Sequence, residues 1–453
     1  MSGISKIRKR DGRIVDFDIS KISEAILNAA KVLGGNNKEM SDKLASDVHD
    51  RLIAQFGSTP PPVESIQDVV EAVLIDNGHA RTAKEYILYR AERTKNRDMN
   101  MRLMKTYQDL TFKSAKDNDI KRENANIDGD TAMGTMLKYG SEGAKQFYEM
   151  FVLNDEHAQA HKDGDIHIHD LDFLTLTTTC CQIDIRKLFK NGFSTGHGFL
   201  REPNDIQSYA ALACIAIQSN QNDQHGGQSI PYFDYGMADG VRKTFKRLYY
   251  TNIGKIIDIK YDKENTVDKV KEYAKKIEEE QGLVPCMAND NEYMKAEKAE
   301  LSKFIPEADI EKIQDLAFKY ATKEVKRATY QAMEAFIHNL NTMHSRAGAQ
   351  IPFSSINYGT DTSVEGRLVM ENVLLATESG LGNGETPIFP IQIFKMKEGI
   401  NYNEGDPNYD LFKLACRVSA KRLFPNFSFI DAPFNYQYYK EGDPDTEVAY
   451  MGC

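Results

Sequence analysis

The chain has 453 residues, a formal net charge of −10, and 41% hydrophobic and 27% charged residues. That size exceeds one ordinary core and predicts about two or three domains, while the composition excludes disordered and collagen-like classes. The acidic balance excludes a broad nucleic-acid surface but not a local basic pocket for phosphates, and no apolar run approaches the roughly 20 residues of a membrane span.

The basic amino terminus is followed by no apolar signal region, so a cytoplasmic location is expected, with neither nucleic acid nor membrane as partner. Cys180, Cys181, Cys214, Cys286, Cys416 and Cys453 show no CxxC pairing of the metal-site kind. A disulfide scaffold is not expected in a reducing compartment.

Residues 4–17 read as a hairpin: Asp11-Gly12 is a strong two-residue turn signal between the apolar positions Ile7, Ile14 and Phe17. Asp18 or Ser20 then caps a helix carrying Ile22, Ala25, Ile26 and Ala29 at helical spacing, ended by Gly34-Gly35. Further helices are predicted over 38–55, 63–76 and 80–93. Lys9, Arg10, Gly12 and Lys21 would surround a polyphosphate if the hairpin folds over the helix start. Composition alone favours a solvated basic hairpin. The order Lys9-Arg10-Asp11-Gly12, Phe17, Asp18, Lys21 and Tyr86-Ile87-Leu88-Tyr89-Arg90 resembles an ATP-cone domain. That resemblance implies that residues 1–95 bind ATP or dATP as an allosteric signal, with Lys9, Arg10 and Lys21 on the phosphates.

Residues 96–126 read as a linker helix and loop, and 140–161 as one helix with Phe147, Phe151 and Leu153 on apolar positions. On a strand, His167 and His169 would share a face and could hold a metal with Asp170 or Asp172. The alternative is a hydrogen-bonded cluster, favoured because no later motif completes a ligand set. Residues 174–185 are rich in β-branched side chains and read as a strand, on which Cys180 and Cys181 point to opposite faces. Gly226-Gly227, inside an amide-rich stretch, offers bare backbone to a ligand. Residues 255–330 are helical, and 328–344 continue as helix. Strands are predicted over 347–359 and 386–394, the latter at an edge or an unusual position because of Pro387 and Pro390. Helices over 365–374 and 403–425 alternate with them, which implies an α/β fold with a parallel or mixed sheet or barrel. No GxGxxG or GxxxxGK[ST] phosphate loop occurs.

Glu123-Asn124-Ala125-Asn126, the 161–170 stretch, Cys180-Cys181-Gln182-Ile183-Asp184, His225–Pro231, Gln350–Phe353, Glu404–Asp410, Lys421–Pro425 and Tyr450-Met451-Gly452-Cys453 together resemble the anaerobic, class III ribonucleoside-triphosphate reductase. The resemblance implies an oxidoreductase with a ten-stranded α/β barrel of two antiparallel five-stranded halves and a central finger loop. It further implies a glycyl radical installed by a radical S-adenosylmethionine activase, a thiyl radical that removes the ribose 3′ hydrogen, formate as reductant, and a homodimer. Cys453 matches the thiyl cysteine and Cys180 the second active-site cysteine, with Cys181 its inert neighbour.

On this reading the chain comprises the cone (1–95), the linker (96–126) and the first half of the barrel (127–453), ending at the finger-loop cysteine. It is then expected to be inactive alone, as a fragment, a truncated chain or one piece of a split enzyme whose complementing polypeptide completes the barrel, with the glycyl radical and a zinc site in the missing carboxyl-terminal part. Two other readings stand beside it: an ATP/dATP-binding module without catalysis, and a metal-dependent hydrolase using His167 and His169.

Overall fold

The computed structural model describes residues 4–9, 12–112, 131–174, 178–288, 291–345 and 350–452, the side chains of 95–101 and 291 aside. It divides into two compact units, Met1–Lys113 with Tyr139–Asp172, and Ser114–Lys138 with Phe173–Cys453.

The first unit opens with β1 (Lys6–Arg8) and β2 (Ile14–Asp16), antiparallel with Ile7 opposite Val15. Four helices follow: α1 (Ser20–Val32), α2 (Lys38–Phe56), α3 (Val63–Asp76) and α4 (Ala80–Phe112). Ile22, Ile26, Leu44, Val48, Val70 and Leu74 bury their faces in one core. The N-cap position is Ile19, whose apolar side chain cannot cap; Asp18 just before it accepts from the Ser20 N–H at 3.0 Å through Oδ1. Helix α4 runs 33 residues, straight through residue 95, where the sequence suggested a boundary.

The single helix expected over 140–161 is two. α5 (Ala132–Phe147) runs into a π turn, Tyr148–Val152, and α6 (Asp155–Asp163) starts afresh after an extended Leu153. The cause is Asn154, whose side chain accepts from the His157 N–H at 2.8 Å and favours a helix start over a helix interior.

In the second unit, β3 (Cys181–Gln182), α7 (Ile185–Lys190), the short pair β4 (Phe193–Ser194) and β5 (Phe199–Leu200), α8 (Ile206–Asp223) and β6 (Gln228–Ile230) come first. The helices α9 (Phe233–Tyr261), α10 (Thr266–Gln281), α11 (Asn291–Leu301) and α12 (Glu307–Thr342) follow. Then come β7 (Ser354–Tyr358), α13 (Val364–Ser379), β8 (Ile391–Met396), α14 (Tyr409–Arg422), β9 (Asn426–Phe429) and α15 (Pro433–Tyr436). Five strands form one sheet in the order β3-β6-β7-β8-β9, every pair parallel. All five residues of β7 are buried, as parallel strands covered on both faces require. Phe233, Met237, Val241, Phe336, Val369 and Val373 lie in the main core.

Two strand expectations need correction. β8 is not an edge strand but lies between β7 and β9. Pro387 and Pro390 both precede Ile391, its first residue, so they remove no ladder donor. The long strand predicted over 174–185 is Cys181–Gln182 among the described residues. In the helical layer, the carboxylate of Glu297 is fully buried and accepts from Tyr249 Oη at 2.7 Å, Tyr273 Oη at 2.9 Å and Gln314 Nε2 at 2.9 Å. Burial pushes its pKa up against the pull of these donors.

Candidate active site

In a parallel sheet, residues opposite one another on neighbouring strands point to one face. The register aligns Gln182, Ser229, Ser355 and Ile391 in a row across four strands. The chain's last described residues lie on that row. Gln182 Nε2 donates to the Ala449 carbonyl at 3.1 Å. The Tyr450 carbonyl accepts from Ser229 Oγ at 3.0 Å and from Asn357 Nδ2 at 2.8 Å, and its N–H donates to Asn357 Oδ1 at 2.8 Å. The Gly452 N–H donates to Ser355 Oγ at 2.8 Å. A Cβ on Gly452 would stand 2.3 Å from Ile391 Cγ2, so only glycine passes there.

Upstream, the same segment is tied by charge. Asp445 pairs with Arg186, which also grips Asp184 through two hydrogen bonds of 3.0 Å and sits 4.3 Å from the Tyr232 ring centroid. Glu447 pairs with Lys395, a lysine with no exposed surface, and accepts from Thr360 Oγ1 at 2.8 Å. Burial raises the Glu447 pKa, Lys395 working against that rise.

Beyond the carboxyl end of β7 the backbone N–H groups of Gly359, Thr360 and Asp361 converge on Asp234 Oδ2 at 2.8, 3.1 and 3.1 Å. Asp361 is itself buried, and its pKa is pushed up to about 6 by burial and by the Asp234 carboxylate. Its Oδ2 has no hydrogen-bond partner. Strand carboxyl ends are where open α/β sheets take ligands.

Cys181 and Cys180 have different surroundings. Cys181 pairs in register with Gln228 and accepts from Asn220 Nδ2 at 3.0 Å, within an amide network that also joins Gln228 and Gln221. Burial raises its thiol pKa. Cys180 is exposed, and its Sγ would lie 3.0 Å from a Cβ at Gly226. Gly226 has φ +97° and packs against the Thr179 carbonyl, so the close approach made by this Gly is to the chain itself. Cys453 lies outside the described residues.

In the first unit, the hairpin turn is closed by Lys9 N–H to the Arg13 carbonyl at 2.8 Å and Gly12 N–H to the Lys9 carbonyl at 3.0 Å, with Gly12 at φ 83°. Lys9 and Gly12 are exposed there; Arg10 lies outside the described residues. Lys21, in the first turn of α1, has a side chain 79% exposed and only a 4.0 Å ion pair with Asp18. The exposed Lys9 ammonium beside the bare backbone of Gly12 suits a polyphosphate.

His167 and His169 are not on a strand; Gly164 ends α6 in the left-handed conformation and the chain turns irregularly after it. Their rings stand 5.9 Å apart, His167 is 5.7 Å from His161, and His161 Nδ1 accepts from the Ile168 N–H at 3.3 Å. Among the described residues no group of three or more His, Cys, Asp or Glu is arranged to hold a metal.

Sequence reasoning missed Ser229, Asn357, Lys395, Glu447, Asp234 and Asp361. One signal was available: Lys395 is the one charged residue of Ile391–Met396, a strand with four apolar residues, and a buried cation needs an anionic partner.

The chain matches the anaerobic ribonucleoside-triphosphate reductase family over residues 123–453 and the ATP cone domain over residues 5–95. It is 27% identical over 423 residues to an anaerobic ribonucleoside-triphosphate reductase of Escherichia coli, covering 93% of this chain and 51% of that one. Over 93 residues it is 40% identical to a vitamin B12-dependent ribonucleoside-diphosphate reductase of Mycobacterium tuberculosis, 20% of this chain and 13% of the relative. A solved anaerobic ribonucleotide reductase from Thermotoga maritima, in complex with dATP and CTP, aligns at 13% identity over 75% of this chain and 50% of that one, with a TM-score of 0.41, too weak to bear on the fold. The chain thus spans about half the length of the reductase relative it matches. With more than half of its residues matched, the chain belongs to the anaerobic ribonucleoside-triphosphate reductase family, and its α/β sheet unit is preceded by an ATP cone.

Proposed function

We propose that this chain supplies the thiol-bearing half of a reductase that converts ribonucleoside triphosphates to 2′-deoxyribonucleoside triphosphates. Its parts are a cone at 1–95, a linker at 96–126 and the first half of a ten-stranded barrel at 127–453. The observation that carries this reading is the docking of Tyr450 and Gly452 on the sheet by Ser229, Ser355 and Asn357, one residue short of Cys453.

Cys453 is the residue that exchanges a hydrogen atom with the substrate: its S–H bond is weak enough to be broken and remade, which no proton-transfer group can match. A glycyl radical in a carboxyl-terminal part, installed by a radical S-adenosylmethionine activase, supplies the unpaired electron when present. The Cys453 thiyl takes the ribose 3′ hydrogen, and the C2′ hydroxyl leaves as water after gaining a proton. Formate is oxidised to carbon dioxide, furnishing the two electrons that the deoxynucleotide retains, and the 3′ hydrogen returns from sulfur. Cys180 is the second thiol of the site. ATP and dATP bind the cone through Lys9, Arg10 and Lys21, with Gly12 letting the backbone approach. The enzyme works in the cytoplasm as a homodimer, and zinc belongs to the carboxyl-terminal part.

The test is anaerobic reduction of CTP with formate and activase, with and without a supplied carboxyl-terminal half. Activity of the supplemented mixture is expected to be lost in Cys453→Ser; an active Cys453→Ser protein would overturn the assignment. ATP and dATP binding without turnover under every condition would instead favour a sensor module, the reading that coverage of half of a relative's length keeps open.

A further inference from the structure

We infer that Lys395 and Glu447 are positioning residues whose buried contact sets where the end of the chain lies on the sheet, and with it the residue that follows Gly452. The inference rests on the reading of Cys453 given above, but its physical part does not.

Neither side chain touches solvent to any useful extent: Lys395 is 0% exposed and Glu447 is 7% exposed. Lys395 stands on β8 and also donates to the Pro231 carbonyl at 3.4 Å, with its ammonium 5.1 Å from the Tyr232 ring centroid. Glu447 takes a further hydrogen bond from Thr360 beyond β7. The pair therefore joins the chain's last segment to β8, to the turn after β6 and to the loop after β7 at once.

Apolar residues of the same volume would pack at least as well, because two charges lose their hydration on burial and a buried pair seldom adds net stability. What apolar residues cannot do is specify register. A greasy segment can slide along a sheet face, whereas one ammonium and one carboxylate meet at a single offset, and any other leaves a charge buried alone. Three residues past Glu447 that offset becomes visible: the Tyr450 amide and carbonyl both reach Asn357, and the Gly452 amide reaches Ser355. Slippage by one residue would break all three bonds. The outer tie, Arg186 to Asp445, is about half exposed on its acidic side and cannot impose the same penalty.

The experiment is amide hydrogen exchange on the whole chain, read at Tyr450 and Gly452 and, as an internal reference, along β7 and β8, together with the rate of Cys453 alkylation by iodoacetamide. In Lys395→Met, exchange at the two terminal amides is expected to rise about 100-fold, the scale of leaving one buried charge unpaired. Cys453 alkylation changes with it, and the β7 and β8 amides keep wild-type protection. Glu447→Gln, which preserves shape and the bond from Thr360, is expected to show the same pattern at about tenfold, and serves if Lys395→Met does not fold. Wild-type protection at both terminal amides in either folded variant overturns the inference. Equal loss of protection through β7 and β8, or failure of both variants to fold, also overturns it, because the pair is then a general core element. No arm needs turnover: absence of nucleotide reduction by the supplemented wild-type protein would sink the functional reading and leave the positioning result standing.

Discussion

Replacing Asp361 with asparagine should stabilise the protein at neutral and alkaline pH and do nothing at acid pH. The carboxyl lies 4% exposed, with Oδ1 accepting from the Ser363 N–H at 2.9 Å and the Asp234 carboxylate adding repulsion that Arg242 only partly offsets. Its pKa rises from 3.8 to about 6, which corresponds to about 3 kcal/mol. Because the folded-state value is the higher one, the stabilising contribution is whole below about pH 3.8 and is lost as the pH climbs through about 6. Asparagine copies the neutral acid: its oxygen can keep the Ser363 bond, and its amide stands where the protonated oxygen would be. The variant should therefore match wild type below about pH 4 and exceed it by up to about 3 kcal/mol near pH 8. Urea unfolding followed by tyrosine fluorescence suits the measurement, since the chain has 22 tyrosines and no tryptophan. A stability difference of the same size at both pH values, or a less stable variant at alkaline pH, refutes the reasoning.

Three further outcomes are expected. Gly226→Ala, at φ +97° with its new Cβ 1.9 Å from the Thr179 carbonyl oxygen, should cost about 3 kcal/mol or more and alter Cys180 alkylation; thermal unfolding and peptide mapping read both. Glu297→Ala strands two tyrosine hydroxyls in the helical core, leaves Gln314 Nε2 only its bond to the Met294 carbonyl, and should cost about 3 kcal/mol, with little effect on the first unit, as urea titration would record. If Lys9 and Lys21 hold the phosphates as proposed, Lys9→Ala and Lys21→Ala should each weaken ATP or dATP binding about tenfold by calorimetry, while unchanged affinity removes those residues from the proposed site.

The local elements of the first unit were legible because each signal is short-range: Asp11-Gly12 between apolar positions, Gly34-Gly35 after a helical stripe, and Pro60-Pro61-Pro62 before Val63. The break at Asn154 escaped because apolar periodicity continues across it, while one side-chain cap decides the matter. Alternation of strand and helix predicted the α/β class, but Cys180 lies just before β3, so the strand period of two does not govern its surroundings. The docking row was not legible. Ser229, Ser355 and Asn357 are small polar residues in short, largely polar strands, and only the register of β6 against β7, two segments far apart in the chain, makes them neighbours. The central place of β8 was hidden by prolines that lie just outside the ladder.

The row beneath Ala449, Tyr450 and Gly452 also decides how the segment is held. From β3, which holds Ala449, past β6 to β7, which holds Tyr450 and Gly452, the segment crosses three neighbouring strands. It borrows their side chains rather than their ladder bonds, so it can lift away without unzipping the sheet.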